Sequence, residues 1–229
     1  LDSIQDLKAT DEELNYLRSL KKSDGNRLFK EDFIEFFGDL TLPDYNLSVE
    51  DGNFKLEFPG DWSKNTYWET FSLSVMNELY FRELTKNLDK DERKNLFNSG
   101  KQRLCEKISV LKSVPDIKYL EFGTRRRFSR DWQDYVVETL KDNDPNQLVG
   151  TSNVYLAKKH NLLPMGTMAH ELFMVYSRLF GDKDDDIKGS HNQVLCDWWD
   201  EYGFDLSVAL TDTYGSDFFF KDLSQKQAR

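Results

Sequence analysis

The chain has 229 residues, of which 38% are hydrophobic and 14% are aromatic. That composition excludes a disordered chain and is sufficient for one large domain or two small ones. The net charge of -10 argues against general nucleic-acid binding, because so acidic a chain repels a phosphate backbone, although local charge can still hold a small anion.

The two cysteines and the apolar pattern narrow the class of protein further. Cys105 and Cys196 lack the spacing of a zinc site and the density of a disulfide framework, so we expect reduced packing residues. No stretch has the apolar length of a membrane span, and the N-terminal residues are too polar for a signal peptide. These features predict a cytoplasmic protein that binds neither nucleic acid nor membrane.

The chain begins with two predicted helices. Residues 10–13 fit a capping box that opens a helix carrying Leu14, Leu17 and Leu20. Phenylalanines at positions 29, 33, 36 and 37 then form an apolar stripe that stops at Gly38. This spacing is typical of a helix that packs against a core.

A hairpin and two longer helices follow. Apolar and polar residues alternate on both sides of Asp51-Gly52, which is a strong signal for two antiparallel strands. Helical spacing recurs over residues 68–79 and again over residues 97–111, until Pro115 ends the second helix. Residues 1–115 are therefore predicted to form an N-terminal α+β region.

The pattern changes after Pro115. Short apolar runs at 119–122, 148–149, 163–165 and 208–210 alternate with helical segments. Such βα alternation predicts four parallel strands with helices packed outside, so residues 116–229 are expected to form a separate α/β region.

An acidic run at 182–186 resembles a metal loop at first sight. Ile187 and Gln193 stand where a calcium loop requires glycine and glutamate, respectively. We therefore interpret this run as a solvated loop between helices and assign no metal ligands.

Three of the predicted strands end in the same dipeptide. These are Gly123-Thr124, Gly150-Thr151 and Gly166-Thr167, while the fourth strand ends at Thr211-Asp212. Glycine lets the backbone approach a ligand, and a threonine hydroxyl can cap a helix or bind an oxygen ligand. Because the carboxyl ends of parallel strands meet on one rim of an α/β barrel, the dipeptides are expected to share the rim where active sites lie.

Three consecutive arginines follow the first of these dipeptides. Arg125, Arg126 and Arg127 predict a clamp for a carboxylate or a phosphate, with at least one of them forming a salt bridge to an outer helix instead. Helix N-termini at the same rim would add N–H donors for phosphate.

The three histidines differ in their surroundings. His160 is predicted to lie at an exposed helix end and His191 in a polar linker. His170 lies three residues after Thr167, where a helix begins, so it is either functional or a capping or packing residue. A neutral imidazole is a competent nucleophile, and Glu171 or Asp212 could orient it.

Four segments, taken together, resemble the signature motifs of nicotinate phosphoribosyltransferases. They are FGTRRRFS at 122–129, VGTSN at 149–153, PMGTMAHE at 164–171 and ALTDTYG at 209–215. Their order and spacing agree with the family, and residues 67–69 and 77–80 resemble its barrel-packing helix. The resemblance covers nearly the whole chain.

The resemblance implies a fold and a reaction. The fold is part of the irregular α/β (TIM-like) barrel of type II phosphoribosyltransferases, preceded by the α+β region. The reaction joins nicotinate to phosphoribosyl pyrophosphate, giving nicotinate mononucleotide and pyrophosphate in NAD salvage. ATP and Mg²⁺ are the implied cofactors, ATP hydrolysis being coupled through a phosphorylated histidine, and the full-length enzyme is expected to be a homodimer.

The resemblance also assigns residues. His170 matches the phosphorylated histidine, and Asp212 is the second catalytic candidate. Thr167 matches a nicotinate contact, as does either Arg125 or Arg126. The remaining substrate-binding candidates are Gly166, Ser152, Asn153 and Thr124.

By the same resemblance the chain corresponds to a fragment. It lacks the family's N-terminal Asp-x-Tyr-Lys segment and the C-terminal part of the barrel with the donor-phosphate loop, so we expect this piece alone to be inactive and prone to associate through open strand edges. Two alternatives remain open: a non-catalytic regulatory or interaction remnant of the family, and another barrel enzyme acting on a phosphorylated sugar.

Overall fold

The computed structural model describes residues 1–180 and 187–221, so the acidic run at 182–186 lies outside the described residues. The chain divides into two compact units. Unit 1 consists of Leu1–Leu17 and Glu31–Met165, and unit 2 consists of Arg18–Lys30 and Gly166–Arg229. The division into domains at residue 115 stays a prediction.

Both units contain helices, whereas the named strands of the described structure lie in unit 1. The helices are α1 (Asp2–Gln5), α2 (Asp11–Ser19), α3 (Glu31–Asp39), α4 (Trp62–Asn65), α5 (Trp68–Thr85), α6 (Lys90–Lys112), α7 (Arg130–Asn143), α8 (Val154–His160), α9 (His170–Phe180), α10 (Ile187–Tyr202) and α11 (Ser216–Lys221). The strands are β1 (Asn46–Glu50), β2 (Asn53–Glu57), β3 (Tyr119–Glu121), β4 (Leu148–Thr151) and β5 (Leu163–Pro164).

Local signals in the first half of the chain are confirmed. The Thr10 N–H donates to Glu13 Oε2 at 2.8 Å and the Glu13 N–H donates to Thr10 Oγ1 at 3.3 Å, which is the predicted capping box of α2. Strands β1 and β2 pair antiparallel around Asp51 and Gly52, whose φ angles are 51° and 76°. Positive φ at both central residues is typical of a tight hairpin turn.

The predicted parallel sheet is confirmed for three strands. They lie in the order β3-β4-β5, and both neighbouring pairs are parallel. Leu104 and Ile108 of α6, Leu140 of α7 and Leu148 of β4 form a buried cluster beside this sheet. Three short strands held by helices explain the α/β character of the fold, while a closed barrel does not form within the described residues.

The prediction of a fourth strand is wrong for the described structure. Residues 208–210 have no regular secondary structure, although the Val208 carbonyl accepts a hydrogen bond from the Met168 N–H at 3.0 Å. The core of unit 2 is instead made by helices, with Met168, Phe173, Val194, Leu195 and Phe219 packed together. An apolar triplet does not by itself determine a strand, and here Val208 is exposed while Ala209 and Leu210 are half-buried in a loop.

The cysteines correct a second expectation. Both Cys105 and Cys196 are free thiols, as expected, but both are exposed and neither packs in a core. Each lies on the outer face of a helix, α6 and α10 respectively, and burial is set by that face rather than by residue type.

Candidate functional site

A buried carboxyl group lies where β3 and β4 end in unit 1. Glu121 and Thr151 are register partners on neighbouring strands, and the Thr151 hydroxyl donates to Glu121 Oε2 at 2.6 Å. The Gly123 N–H donates to Glu121 Oε1, also at 2.6 Å. Glu121 is 8% exposed and Thr151 is fully buried, so this end of the sheet is closed by polar side chains that bond to one another.

Gln133 of α7 carries this network to Thr124. Its Nε2 donates to Thr124 Oγ1 at 2.7 Å and lies 3.3 Å from Glu121 Oε1. Asn153 Nδ2 donates to the same Thr124 oxygen at 3.1 Å. A hydroxyl has two lone pairs and one proton, so Thr124 retains its proton to donate to a further acceptor.

The five residues 123–127 form what we call the arginine loop, which lies against α5. Asn77 Nδ2 donates to the Arg125 carbonyl at 3.1 Å, and the Arg125 guanidinium pairs with Glu69. Arg127 Nε lies 3.7 Å from Glu78 Oε2, and burial lowers the pKa of Arg127 while Glu78 opposes that shift. The expected salt bridges to an outer helix are therefore present at two of the three arginines.

Arg126 differs from its two neighbours. Its side chain is exposed and pairs with no carboxylate among the described residues. Because a guanidinium presents several N–H donors in a fixed plane, Arg126 can bind a carboxylate or a phosphate without first breaking an ion pair. The choice between Arg125 and Arg126, which the sequence left open, is therefore weighted toward Arg126 by geometry.

The three Gly-Thr glycines serve different purposes. A Cβ at Gly150 would lie 2.2 Å from the Leu163 carbonyl oxygen, so glycine there permits the close approach of β4 and β5 rather than of a ligand. A Cβ at Gly123 would lie 2.6 Å from Glu121 Oε1, so glycine there makes room for the buried carboxyl. Gly166 has no described atom within 4 Å of that point and keeps its place as a ligand-facing candidate.

The other substrate-binding candidates are engaged to different degrees. Asn153 caps α8, because its Oδ1 accepts from the Leu156 N–H at 3.0 Å, and it also holds Thr124. Half-buried Ser152 forms no side-chain hydrogen bond with a described residue, so its hydroxyl is available. Thr167 donates its proton to the Met168 carbonyl at 2.7 Å and presents lone pairs.

His170 is the first residue of α9 in unit 2, as predicted. Its Nδ1 lies 2.8 Å from Thr213 Oγ1, and its Nε2 lies 3.3 Å from Asp212 Oδ1. We call these three residues the histidine site. The imidazole is 45% exposed and the Asp212 carboxylate 70% exposed, so the ring is oriented at both nitrogens yet open to a reactant.

The other two histidines correct the sequence interpretation. His160 ends α8, as predicted, but it is buried, with Nε2 2.6 Å from Asp134 Oδ1. His191 lies inside α10 and not in a linker, and Phe173, Tyr214, Phe218 and Phe219 surround it. Burial lowers the pKa of His191, and a hydrogen bond with Asn192 opposes that shift.

Three residues that organise these sites were not predicted from the sequence, namely Glu121, Gln133 and Thr213, and Thr151 was singled out only as part of a Gly-Thr dipeptide. Glu121 could have been noticed in the sequence, because it is a charged residue between two apolar ones in the short run that ends at Gly123-Thr124. Gln133 gave no such signal, since it is one polar residue among many on an amphipathic helix.

Metal and membrane features are limited within the described part of the chain. It contains no group of three or more histidine, cysteine or acidic side chains placed to hold a metal ion. A helix with the length and apolarity to cross a bilayer is likewise not found there.

Comparison with known proteins shows what this chain is similar to. A model of the nicotinate phosphoribosyltransferase (NAPRTase) family matches residues 117–229. The fold is similar to that of nicotinate phosphoribosyltransferase from Vibrio cholerae, with a TM-score of 0.81 and 24% identity over 99% of this chain and 52% of that one. The enzyme from Porphyromonas gingivalis gives 0.78 and 29%, over 99% of this chain and 55% of that one.

This chain thus spans about half the length of the solved structures that it matches, at 52% and 55%. The matched residues 117–229 contain the arginine loop and the histidine site, and the structural likenesses extend over 99% of the chain. Residues 117–229 are thus similar to the nicotinate phosphoribosyltransferase family, and the fold over nearly the whole chain is similar to that of solved structures with that name.

Proposed function

We propose that this chain supplies the nicotinate-binding and histidine-bearing part of a nicotinate phosphoribosyltransferase. The enzyme forms nicotinate mononucleotide and pyrophosphate from nicotinate and phosphoribosyl pyrophosphate, in an ATP-coupled reaction of NAD salvage. The observation that carries this proposal is the presence of two hydrogen-bond donors in the arginine loop that have no acceptor among the described residues. They are the Arg126 guanidinium and the Thr124 hydroxyl proton, and both lie in the segment that matches the family.

The donor pair suits a carboxylate. Thr124 offers a proton because both its lone pairs are used, and Arg126 offers N–H groups that no described carboxylate occupies. A carboxylate presents two acceptor oxygens, whereas a carboxamide presents one acceptor and one donor. We therefore propose that Thr124 and Arg126 favour nicotinate over nicotinamide, with the Ser152 hydroxyl as a further contact.

The remaining candidates take secondary roles in this proposal. Arg125 is restrained because one of its guanidinium nitrogens pairs with Glu69, and Asn153 acts through Thr124. Thr167 presents lone pairs, so it would accept from a donor such as a ribose hydroxyl or rotate to meet nicotinate. Gly166 leaves room for a ligand to approach the protein backbone, as the resemblance to the family implies.

His170 is proposed as the phosphoryl acceptor. One ring nitrogen attacks the γ-phosphorus of ATP, an N–P bond forms, the bond between the γ-phosphorus and the β,γ-bridging oxygen breaks, and ADP leaves. Asp212 and Thr213 orient the ring for this attack. His170 is the first residue of α9, and the N–H groups in the first turn of a helix favour added negative charge.

Mg²⁺ fits this arrangement as a phosphate-bound ion. Magnesium is usually held by one or two carboxylates together with substrate phosphates rather than by an all-protein cluster. Asp212, with its exposed carboxylate beside His170, is the residue that would hold it. The ion would neutralise phosphate charge there.

Product formation tests the proposal. The full-length protein should convert nicotinate and phosphoribosyl pyrophosphate to nicotinate mononucleotide, faster with ATP than without it, and should convert nicotinamide poorly. A protein that binds neither substrate and forms no product under these conditions would instead support the non-catalytic remnant. Gel filtration of the same sample tests the homodimer, which also stays a proposal.

A further inference from the structure

Glu121 is a buried carboxyl group without a cationic partner in the described structure. Its neighbours within hydrogen-bond distance are the Gly123 N–H, the Thr151 hydroxyl and the Gln133 amide, at 2.6, 2.6 and 3.3 Å. Burying a carboxyl group costs free energy that hydrogen bonds only partly offset, and an apolar residue at the end of a strand would avoid that cost. A role beyond core stability is therefore indicated.

The donors to Glu121 lead directly to the arginine loop. Gly123 opens that loop, and the missing Cβ at Gly123 is what allows the carboxyl oxygen to lie 2.6 Å from its nitrogen. Gln133 joins the same carboxyl to Thr124 Oγ1, the second residue of the loop. Glu121 therefore fixes both the backbone and the hydroxyl from which the loop continues to Arg126.

The side chain of Gln133 hydrogen-bonds only to Glu121 and Thr124 among the described residues. Its side chain is buried, and its Oε1 has no hydrogen-bond partner in the described structure. An unsatisfied buried carbonyl is destabilising, so the residue is costly unless its amide protons are needed. Those protons go to Glu121 and Thr124, which indicates that the link between them is what Gln133 contributes.

We propose that Glu121, acting through Gly123 and Gln133, is a positioning residue that presents Thr124 and Arg126 to the carboxylate of the substrate. This inference rests on the proposed nicotinate site. Glu121 itself touches no substrate, and its effect on binding is transmitted by the geometry of the loop.

Two substitutions separate this role from general stability. Glu121→Gln keeps the shape but replaces one acceptor oxygen by a donor, which opposes either the Gly123 N–H or the Thr151 hydroxyl. Gln133→Met keeps the volume and removes the link to Thr124, together with the unsatisfied carbonyl. Glu138→Gln, an exposed carboxyl on the same helix as Gln133, is the matched control.

The first measurement is amide hydrogen exchange in the full-length protein without substrate. Glu121→Gln should accelerate exchange at Gly123 by about three- to tenfold, the loss expected for one hydrogen bond, while amides of α10 stay unchanged. Glu138→Gln should change neither. Unchanged exchange at Gly123 would overturn the positioning role whether or not the protein proves to be a transferase.

The second measurement is a double-mutant cycle on the KM for nicotinate. Glu121→Gln and Gln133→Met should each raise KM by roughly tenfold with a smaller change in kcat, because a misplaced contact weakens binding first. In an Arg126→Ala background the same changes should have much less effect, since the group they position is gone. Fully additive effects would overturn the proposal. If the wild-type protein forms no nicotinate mononucleotide, the proposed function fails, and the exchange measurement alone decides the role of Glu121.

Discussion

The arginine loop and the histidine site solve different problems. In the arginine loop, Thr124 is held by two donors, the backbone is fixed by a buried carboxyl, and two of three arginines are already paired. In the histidine site, the ring and its carboxylate are exposed and are held by two contacts. A group that only binds gains from a rigid setting, whereas a group that gains and loses a phosphoryl group must remain accessible.

The contrast also predicts where substitutions cost stability. When one partner of a buried hydrogen bond is removed, the polar group left behind incurs its full desolvation penalty, whereas an exposed group exchanges its protein partner for water. Substitutions in the arginine loop's support should therefore lower stability, and substitutions in the histidine site should change chemistry at nearly constant stability.

The largest effect is expected at Arg126. Arg126→Ala should raise the KM for nicotinate by about 10- to 100-fold, which corresponds to one lost charge-assisted hydrogen bond. Arg125→Ala should have a smaller effect, because one nitrogen of that guanidinium is already paired with Glu69. Steady-state kinetics on both variants measures the difference, with exposed Arg103→Ala on α6 as the control. A stronger effect at Arg125 than at Arg126 would reverse the assignment.

The next effect compares one substitution in the two regions. Thr151→Val removes the hydroxyl that bonds the buried carboxyl of Glu121 and should cost about 1–3 kcal/mol of unfolding free energy. Thr213→Val removes the partner of an exposed ring and should cost less than about 0.5 kcal/mol. Urea unfolding of both variants measures the two values. Equal losses would contradict the contrast between a buried support and an open site.

The smallest expected effect concerns pH and the core of unit 2. Burial lowers the pKa of His191 from its ordinary 6.5, so the unfolded chain binds a proton more readily than the folded one. The contribution of neutral His191 to the free energy of unfolding should be fully present above about pH 6.5. It should be lost as the pH falls below that value toward the pKa of the folded state. Urea titrations from pH 7.5 to pH 5 measure the slope.

The matched variants sharpen that prediction. His191→Phe, which keeps an aromatic ring among Phe173, Phe218 and Phe219, should flatten the slope. His170→Asn, a substitution of a half-exposed histidine, is the control. An undiminished slope in His191→Phe would place its origin in other titrating groups.

Much of the local structure was predictable from the sequence. The capping box at Thr10 and the Asp51-Gly52 turn depend on residues within a few positions of each other, so the sequence contains the whole interaction. The position of His170 at the start of a helix was predictable for the same reason. The alternation of short apolar runs with helical segments also predicted the three parallel strands.

The features that could not be predicted correctly depend on partners that are distant in the sequence. The burial of His160 requires Asp134, and the aromatic surroundings of His191 come from α9, α11 and the loop before α11, so neither was visible locally. The pairing of Arg125 with Glu69 joins residues 56 positions apart. Sequence alone could state that one arginine forms a salt bridge, but it could not say which one stays open.

His170 is proposed to accept a phosphoryl group from ATP, and direct detection of that group tests this proposal. The full-length protein is incubated with γ-phosphate-labelled ATP and Mg²⁺, and the label is followed in acid and in alkali by peptide mass spectrometry. We expect an acid-labile, alkali-stable label on the peptide containing His170, and its complete loss in His170→Asn with unchanged urea unfolding. Label of the same kind and amount in folded His170→Asn would show that His170 is structural and that the proposed coupling is wrong.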